Sequence, residues 1–175
     1  MKKSSRRGLI MVLTGPGKGK TTAALGAALR ASGQGLRVVM LQFIKARRTG
    51  EMKAAALLPR VIIKTLGLGL IKGRPVSARD RRRAGQAWAE ASRTAVAGDC
   101  DLLILDEICV ALKYGLLDFG EVTVFLRSKP ASLHIILTGR DCPEDLLALA
   151  DTVTHLENVK HHLAAGIKAQ PGIEY

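Results

Sequence analysis

The segment GLIMVLTGPGKGKTT, residues 8–22, decides the fold. Its first part, residues 8–13, is a short apolar run that predicts a buried strand. The alanine-rich residues 21–32 predict a helix that Gly33 and Gly35 end. Between strand and helix, glycines let successive backbone N–H groups point at phosphate oxygens, and the helix N-terminus adds partial positive charge. The segment therefore predicts a phosphate-binding loop over Gly15–Thr22.

The loop also carries side chains suited to a nucleoside triphosphate. We expect Lys20 to reach the terminal phosphates and the Thr21 hydroxyl to hold Mg²⁺. The usual pattern is Gly, four residues, then Gly-Lys-Ser/Thr; this chain has Thr14 at the first position, and glycine comes one place later. The alternative is a glycine turn that binds nothing, but it leaves the two lysines, the two threonines and the strand–helix context unexplained.

A second apolar run, Leu102–Leu105, ends in Asp106 and Glu107. A carboxylate at the end of such a strand meets the metal of a bound nucleotide, directly or through water. Thr138-Gly139-Arg140 ends the next strand along the chain, so Arg140 is either a phosphate contact or a surface charge. Gln42 and Lys45, which leave the second strand, have weaker claims to the same role.

Strand and helix patterns alternate along the whole chain. The strands are apolar throughout rather than on one face, so they predict one α/β domain with a mainly parallel sheet that helices flank and cover on both sides. This is the architecture of RecA-like P-loop NTPases. Ser77 and Asp80 have the spacing of a capping box at the start of a long helix, and Asp118 and Glu121 repeat it. We expect a basic tail over residues 1–7 and the domain over 8–175. The predicted strands are 8–13, 37–43, 60–64, 101–106, 134–138 and 152–156; a polar, flexible stretch is expected at 46–52 and a loop at 67–75.

Composition limits the class of protein. The 175 residues carry a formal net charge of +12, which suits polyphosphate, an acidic protein or nucleic acid. No apolar run approaches the roughly 18 residues of a membrane helix, and the basic N-terminus lacks a signal-peptide core, so we expect a cytoplasmic protein without membrane contact. The three scattered cysteines argue against disulfides and structural zinc.

Several ordered segments resemble one family, the P-loop ATP:corrinoid adenosyltransferases of vitamin B12 synthesis and salvage. The resemblance runs from Gly8 to the end of the chain, and the shifted glycine of the phosphate loop is part of it. The matching segments are Thr14–Ala24, Gln42–Lys45, Leu105–Glu107, Ala111–Gly115, Leu117-Asp118, Thr138–Arg140, Val159–His161, Gly166–Gln170 and Gly172–Tyr175.

The resemblance implies a chemistry and a set of roles. Cobalt in its +1 state would attack C5′ of ATP and release triphosphate, with cobalamin or cobyrinic acid a,c-diamide as acceptor. Such a displacement needs alignment and charge stabilisation rather than a side-chain base. Lys20, Thr21 and Glu107 would be the catalytic residues, with Thr21 and Glu107 holding Mg²⁺ (or Mn²⁺). The backbone and side chains of Gly15, Pro16, Gly17, Lys18, Gly19, Lys20, Thr21 and Thr22 would cradle the phosphates. A flavodoxin-like reductant and a homodimer are also implied.

The chain departs from that family in two places. Leu68 and Leu70 stand where the family has a Phe and a Trp that crowd the lower face of the corrinoid, and Pro16 stands where Asn is usual. Two alternatives therefore stay open. One is a nucleic-acid-dependent ATPase, which the charge favours but the six Phe, Trp and Tyr residues do not. The other is a corrinoid- or ATP-binding homologue without turnover.

Overall fold

Six parallel strands form the sheet at the centre of the computed structural model, which describes residues 7–47, 49–69, 71 and 73–174. Their order across the sheet is β3-β2-β4-β5-β1-β6. Because every neighbouring pair is parallel, all six carboxyl ends meet at one edge. The strands are β1 (Ile10–Thr14), β2 (Val38–Gln42), β3 (Val61–Thr65), β4 (Leu102–Asp106), β5 (His134–Thr138) and β6 (Thr152–His155).

Helices cover both faces of the sheet, which confirms the predicted α/β class. They are α1 (Lys20–Gly33), α2 (Gly50–Ala55), α3 (Ala78–Val96), α4 (Ile108–Lys113), α5 (Phe119–Ser128) and α6 (Glu144–Leu149), followed by a short 3₁₀ helix (His162–Ala165). The predicted capping box of α3 is present: the Ser77 hydroxyl accepts a hydrogen bond from the Asp80 backbone N–H, and the Asp80 carboxylate accepts one from the Ser77 N–H. Asp118 caps α5 by accepting from the Glu121 N–H.

The two faces of the sheet have separate apolar cores. α1 packs on one face through Ala24 and Ala28, and α3 packs on the other through a row of buried alanines. Alanine lets helix and sheet approach closely, which suits a chain with 3% aromatic residues. Trp88 of α3 adds an edge-to-face contact with Phe125 of α5, with ring centroids 5.0 Å apart.

Two expectations from the sequence were wrong. Residues 50–52 are not a flexible stretch but begin α2, because Ala55 is buried against the sheet and Lys45 forms an ion pair with Glu51 across the preceding turn. The strands are not all covered on both sides either: every residue of β6 is exposed, and β3 alternates. Both are edge strands with a single neighbour.

Arg7 is the residue of the predicted tail that falls among the described residues. Of the predicted tail, residues 1–6 lie outside the described residues, and Arg7 forms an ion pair with Asp151 before β6. No helix among the described residues is both long and apolar enough to cross a membrane.

Candidate active site

The phosphate loop lies at the carboxyl edge of the sheet, between the end of β1 and the start of α1. Gly15 and Gly19 have φ values of 101° and 110°, a left-handed conformation that glycine adopts without strain. Among the described residues no side chain caps the N-terminus of α1, and the first turn of this helix contains no acidic residue. The first N–H groups of α1 are therefore available to an anion, as phosphate binding requires.

Lys20 is buried beneath this loop. Its side-chain Nζ donates hydrogen bonds to the carbonyl oxygens of Gly15, at 2.7 Å, and Gly17, at 2.6 Å. Burial lowers its pKa, and the nearby Glu107 carboxylate partly opposes that shift. A buried ammonium held by two carbonyls gains most from a strong anion, so a terminal phosphate is the partner that this position suits.

Asp106, at the end of β4, is fully buried, and its carboxylate accepts three hydrogen bonds. Its Oδ1 accepts from the hydroxyls of Thr21, at 2.9 Å, and Thr138, at 2.8 Å, while its Oδ2 accepts from the Gln42 amide at 3.1 Å. Because the Thr21 hydroxyl donates its proton to Asp106, the lone pairs of that oxygen remain for a cation. Asp106 therefore orients Thr21, a role that the sequence had not assigned to it.

Glu107 follows Asp106 in a left-handed conformation, with φ 62°. Its backbone N–H donates to the Thr138 hydroxyl at 2.9 Å, which fixes the turn. Burial raises the pKa of its carboxyl group, and the neighbouring Asp106 raises it further. Within the described part of the chain no hydrogen bond reaches this carboxylate, although Lys20 and Lys45 interact with it electrostatically. The predicted metal ligands Thr21 and Glu107 are thus both positioned through the Asp106–Thr138 pair.

Two cavities meet above these residues and share Lys45, Glu107 and Arg140. The first, of about 620 Å³, is lined by Gly17–Thr22, and residues near the C-terminus close it on another side. The second, of about 670 Å³, is lined by α4 and the loop after β3. Arg140 lies between the cavities, close enough to Lys20 and Glu107 to influence the pKa values of both.

Pro16 and Leu68, which the sequence analysis also placed in the site, lie at the margins of the two cavities. Pro16 is exposed on the loop; Leu68 is half-buried beside Gly69, a residue of the second cavity wall, and Leu70 lies outside the described residues. Sequence reasoning missed Thr138 as a member of the site, although its place at the end of β5 was a usable signal. It also missed the C-terminal contribution to the first cavity, which comes from His161, Leu163, Gly172, Ile173 and Glu174.

Solved structures with the same fold include two archaeal proteins. The flagellar accessory protein FlaH of Methanocaldococcus jannaschii aligns with a TM-score of 0.59 and 12% identity, over 86% of this chain and 71% of that one. A KaiC-like protein of Pyrococcus horikoshii aligns with a TM-score of 0.56 and 20% identity, over 88% of this chain and 75% of that one. At these identities the likeness concerns the fold alone, and it agrees with the predicted single α/β domain built on a parallel sheet.

Sequence relatives are closer. The chain is 39% identical over 171 residues to a corrinoid adenosyltransferase of Pseudomonas aeruginosa, covering 97% of this chain and 84% of that protein. It is 38% identical over 169 residues to a corrinoid adenosyltransferase of Escherichia coli K12, covering 97% and 86%. The family model described as "ATP:corrinoid adenosyltransferase BtuR/CobO/CobP" matches residues 6–175. The chain therefore belongs to the family of ATP:corrinoid adenosyltransferases.

Proposed function

We propose that the protein transfers the 5′-deoxyadenosyl group of ATP to the cobalt(I) of a corrinoid and releases inorganic triphosphate, in vitamin B12 synthesis or salvage. The observation that carries the proposal is the pair of adjoining cavities. One is built on a phosphate loop, the other is larger and mostly apolar, and Glu107 and Arg140 line both. Two substrates bound in them would meet above these shared side chains.

The reaction is a displacement at C5′. The cobalt(I) electron pair forms the Co–C bond, the bond from C5′ to the phosphate oxygen breaks, and triphosphate leaves with the electron pair of that C–O bond. Lys20, the free N–H groups of α1 and Arg140 would stabilise the charge that grows on the leaving group. The phosphate loop would hold the chain of phosphates in line with the attacking metal.

The residues present fit a magnesium ion. Among the described residues, no group of three or more His, Cys, Asp and Glu side chains could hold a metal ion on its own. Mg²⁺ characteristically takes one or two protein oxygens and completes its shell with substrate phosphates and water. The Thr21 hydroxyl, oriented by Asp106, and the Glu107 carboxylate would be those protein ligands. Bound there, Mg²⁺ (or Mn²⁺) would neutralise part of the triphosphate charge.

The corrinoid would occupy the second cavity. Its lining includes Ile44, Ile71, Val110 and Tyr114, which offer apolar contact to a corrin face and exclude water. Leu68 and Leu70 would crowd the lower face of the corrinoid in place of an aromatic pair. Cobalamin and cobyrinic acid a,c-diamide are both acceptors within this proposal.

Several features of the wider protein belong to the same proposal. The basic surface would dock an acidic flavodoxin-like reductant that supplies the electron for cobalt(I), and that docking would weaken with salt. The proposal also includes a homodimer and a cytoplasmic location. It further includes a basic tail (residues 1–7) that precedes the catalytic domain (8–175). The exposed β6 edge is compatible with a second copy lying against it.

An anaerobic assay tests the proposal. Protein, Mg²⁺ and ATP are mixed with chemically reduced cob(I)alamin or cob(I)yrinic acid a,c-diamide, and the cobalt spectrum is followed. The proposal predicts a light-sensitive Co–C product that Lys20→Ala abolishes and that Lys53→Ala, a change at an exposed lysine of α2, leaves unaffected. Phosphate release with an unchanged cobalt spectrum would favour an ATPase. Tight binding of both ligands without product would favour a binding protein.

A further inference from the structure

The C-terminal arm, residues 156–174, lies over the phosphate loop and is held there almost entirely by polar contacts. Its apolar side chains point outward: Val159 is 96% exposed, and Leu163, Ile167 and Ile173 are also exposed. From residue 157 onward the partly buried residues are His161, His162 and Glu174. A segment that buries little apolar surface detaches at a low free-energy cost.

One lysine joins the end of the arm to the loop. The Lys18 Nζ donates hydrogen bonds to the Ile173 carbonyl oxygen, at 3.1 Å, and to the Glu174 carboxylate. Among the described residues, every hydrogen bond or ion pair between residues 158–174 and the rest of the protein is made by Lys18. Glu174 also lies 3.4 Å from the Nε2 atom of His162, which stacks on His161 within the arm.

Glu174 lines the same cavity as the phosphate loop, so its negative charge would repel a bound triphosphate. Its carboxylate is 19% exposed, and the Lys18 ammonium keeps its pKa below the ordinary value. A triphosphate entering the cavity brings several negative charges next to this anion and offers Lys18 a more strongly charged partner. Lys18 cannot satisfy both anions fully, because it has one ammonium group on one stem.

We propose that Glu174 competes with the triphosphate for Lys18, so that the C-terminal arm is latched in the free protein and released when the nucleotide binds. When the contact between Lys18 and Glu174 forms again, it would help to displace the triphosphate product, which is otherwise bound by Lys18, Lys20 and the N-terminus of α1. The proposal rests on the function proposed above only in that the phosphate loop binds a polyphosphate; it needs no adenosyl transfer.

Calorimetric titration with inorganic triphosphate in Mg²⁺ buffer tests the latch. In Glu174→Gln the competitor is neutral. Because a partly exposed ion pair contributes about 0.2–1 kcal/mol, the triphosphate Kd is expected to fall about 1.4- to 5-fold. Glu157→Gln is the matched control: it removes a negative charge from the same arm, at a side chain that faces His155 rather than Lys18, and its Kd is expected to stay unchanged. In a Lys18→Ala background the competition is absent, so Glu174→Gln is expected to lower the Kd by less than it does in the unmodified protein.

Limited proteolysis tests independently whether the arm is released from the phosphate loop. Lys160 and Lys168 are exposed trypsin sites on it, so inorganic triphosphate is expected to speed cleavage of the arm in the unmodified protein, and Glu174→Gln to speed it without ligand. Slower cleavage with triphosphate, or a Glu174→Gln Kd equal to or weaker than that of the unmodified protein, would overturn the latch. A protein that binds triphosphate as predicted but forms no Co–C product would refute the transferase and leave the latch standing.

Discussion

A substitution at Thr138, which is hydrogen-bonded to Asp106, tests the structure of the site most directly. Thr138 is fully buried; its hydroxyl donates to Asp106 at 2.8 Å and accepts from the Glu107 N–H at 2.9 Å. Thr138→Val keeps the shape and removes both bonds. A hydrogen bond to a charged group contributes about 1.5–3 kcal/mol, and an orphaned buried N–H costs about 1–3 kcal/mol. These two contributions are not fully additive, because both involve the same hydroxyl. We therefore expect the free energy of unfolding to fall by about 2–5 kcal/mol and Tm to fall by about 5–15 °C.

The same substitution is expected to weaken metal binding at the site proposed above. Without the Thr138 hydroxyl the left-handed turn at Glu107 loses its anchor, so Mn²⁺ affinity, measured by electron paramagnetic resonance with ATP present, is expected to fall about 10- to 100-fold. Thr138→Ser retains the hydroxyl and is expected to keep metal affinity within about threefold of the unmodified protein. Urea unfolding measures the stability of all three proteins. If Thr138→Val unfolds like the unmodified protein and binds Mn²⁺ equally well, the reasoning about this pair is wrong.

Three further predictions test other parts of the structure. Gly17→Ala is expected to abolish triphosphate binding or displace the arm, because its Cβ would lie 2.4 Å from the Glu157 carbonyl oxygen. In Gly26→Ala the added Cβ meets nothing within 4 Å, so this control should stabilise α1 by about 0.5–1 kcal/mol. Calorimetry compares triphosphate binding by the two variants, and thermal melts compare their stability. Asp80→Asn should destabilise the protein by about 1–2 kcal/mol at neutral pH. Since the folded-state pKa of Asp80 lies below its ordinary value, this stabilisation is complete above about pH 5 and is lost as pH falls, so urea melts of the two proteins should converge in acid. Glu107→Gln is expected to raise the Tm of the metal-free protein, because burial disfavours the charged carboxylate, and to weaken Mn²⁺ binding about tenfold or more; a lower Tm would contradict this.

The sequence predicted what depends on neighbouring residues. The phosphate loop is such a feature, because its glycines, Lys20 and the flanking strand and helix all lie within one short segment. The capping box of α3 is another, since Ser77 and Asp80 are three residues apart. Both patterns specify backbone geometry through local sterics and hydrogen bonds, and the structure confirms both.

What the sequence left open depends on distant parts of the chain. Asp106 is joined to Thr21, Gln42 and Thr138 across 85, 64 and 32 residues, and only the strand order brings these side chains together. The contact between Lys18 and Glu174 spans 156 residues. No local pattern distinguishes Asp106 from Glu107 as the residue that Thr21 contacts. The assignment of Glu107 to the metal came from the resemblance to the family.

The edge strands were predicted at the right places, but their coverage on both faces was mispredicted for a different physical reason. Burial on both faces makes a parallel strand continuously apolar, and β2 and β4 fit that rule with all five residues buried. β6 has one neighbouring strand and mixes threonine, valine and histidine, so its pattern reports an edge position rather than a covered one.

One product analysis decides between transfer and hydrolysis. ATP labelled with ¹³C at C5′ is incubated anaerobically with the protein, Mg²⁺ and cob(I)alamin, and ¹³C and ³¹P magnetic resonance are recorded on the same sample. A displacement at C5′ predicts a ¹³C label bound to cobalt and one intact inorganic triphosphate for each label transferred. ADP and orthophosphate, with the label still attached to a phosphate ester, would contradict the account.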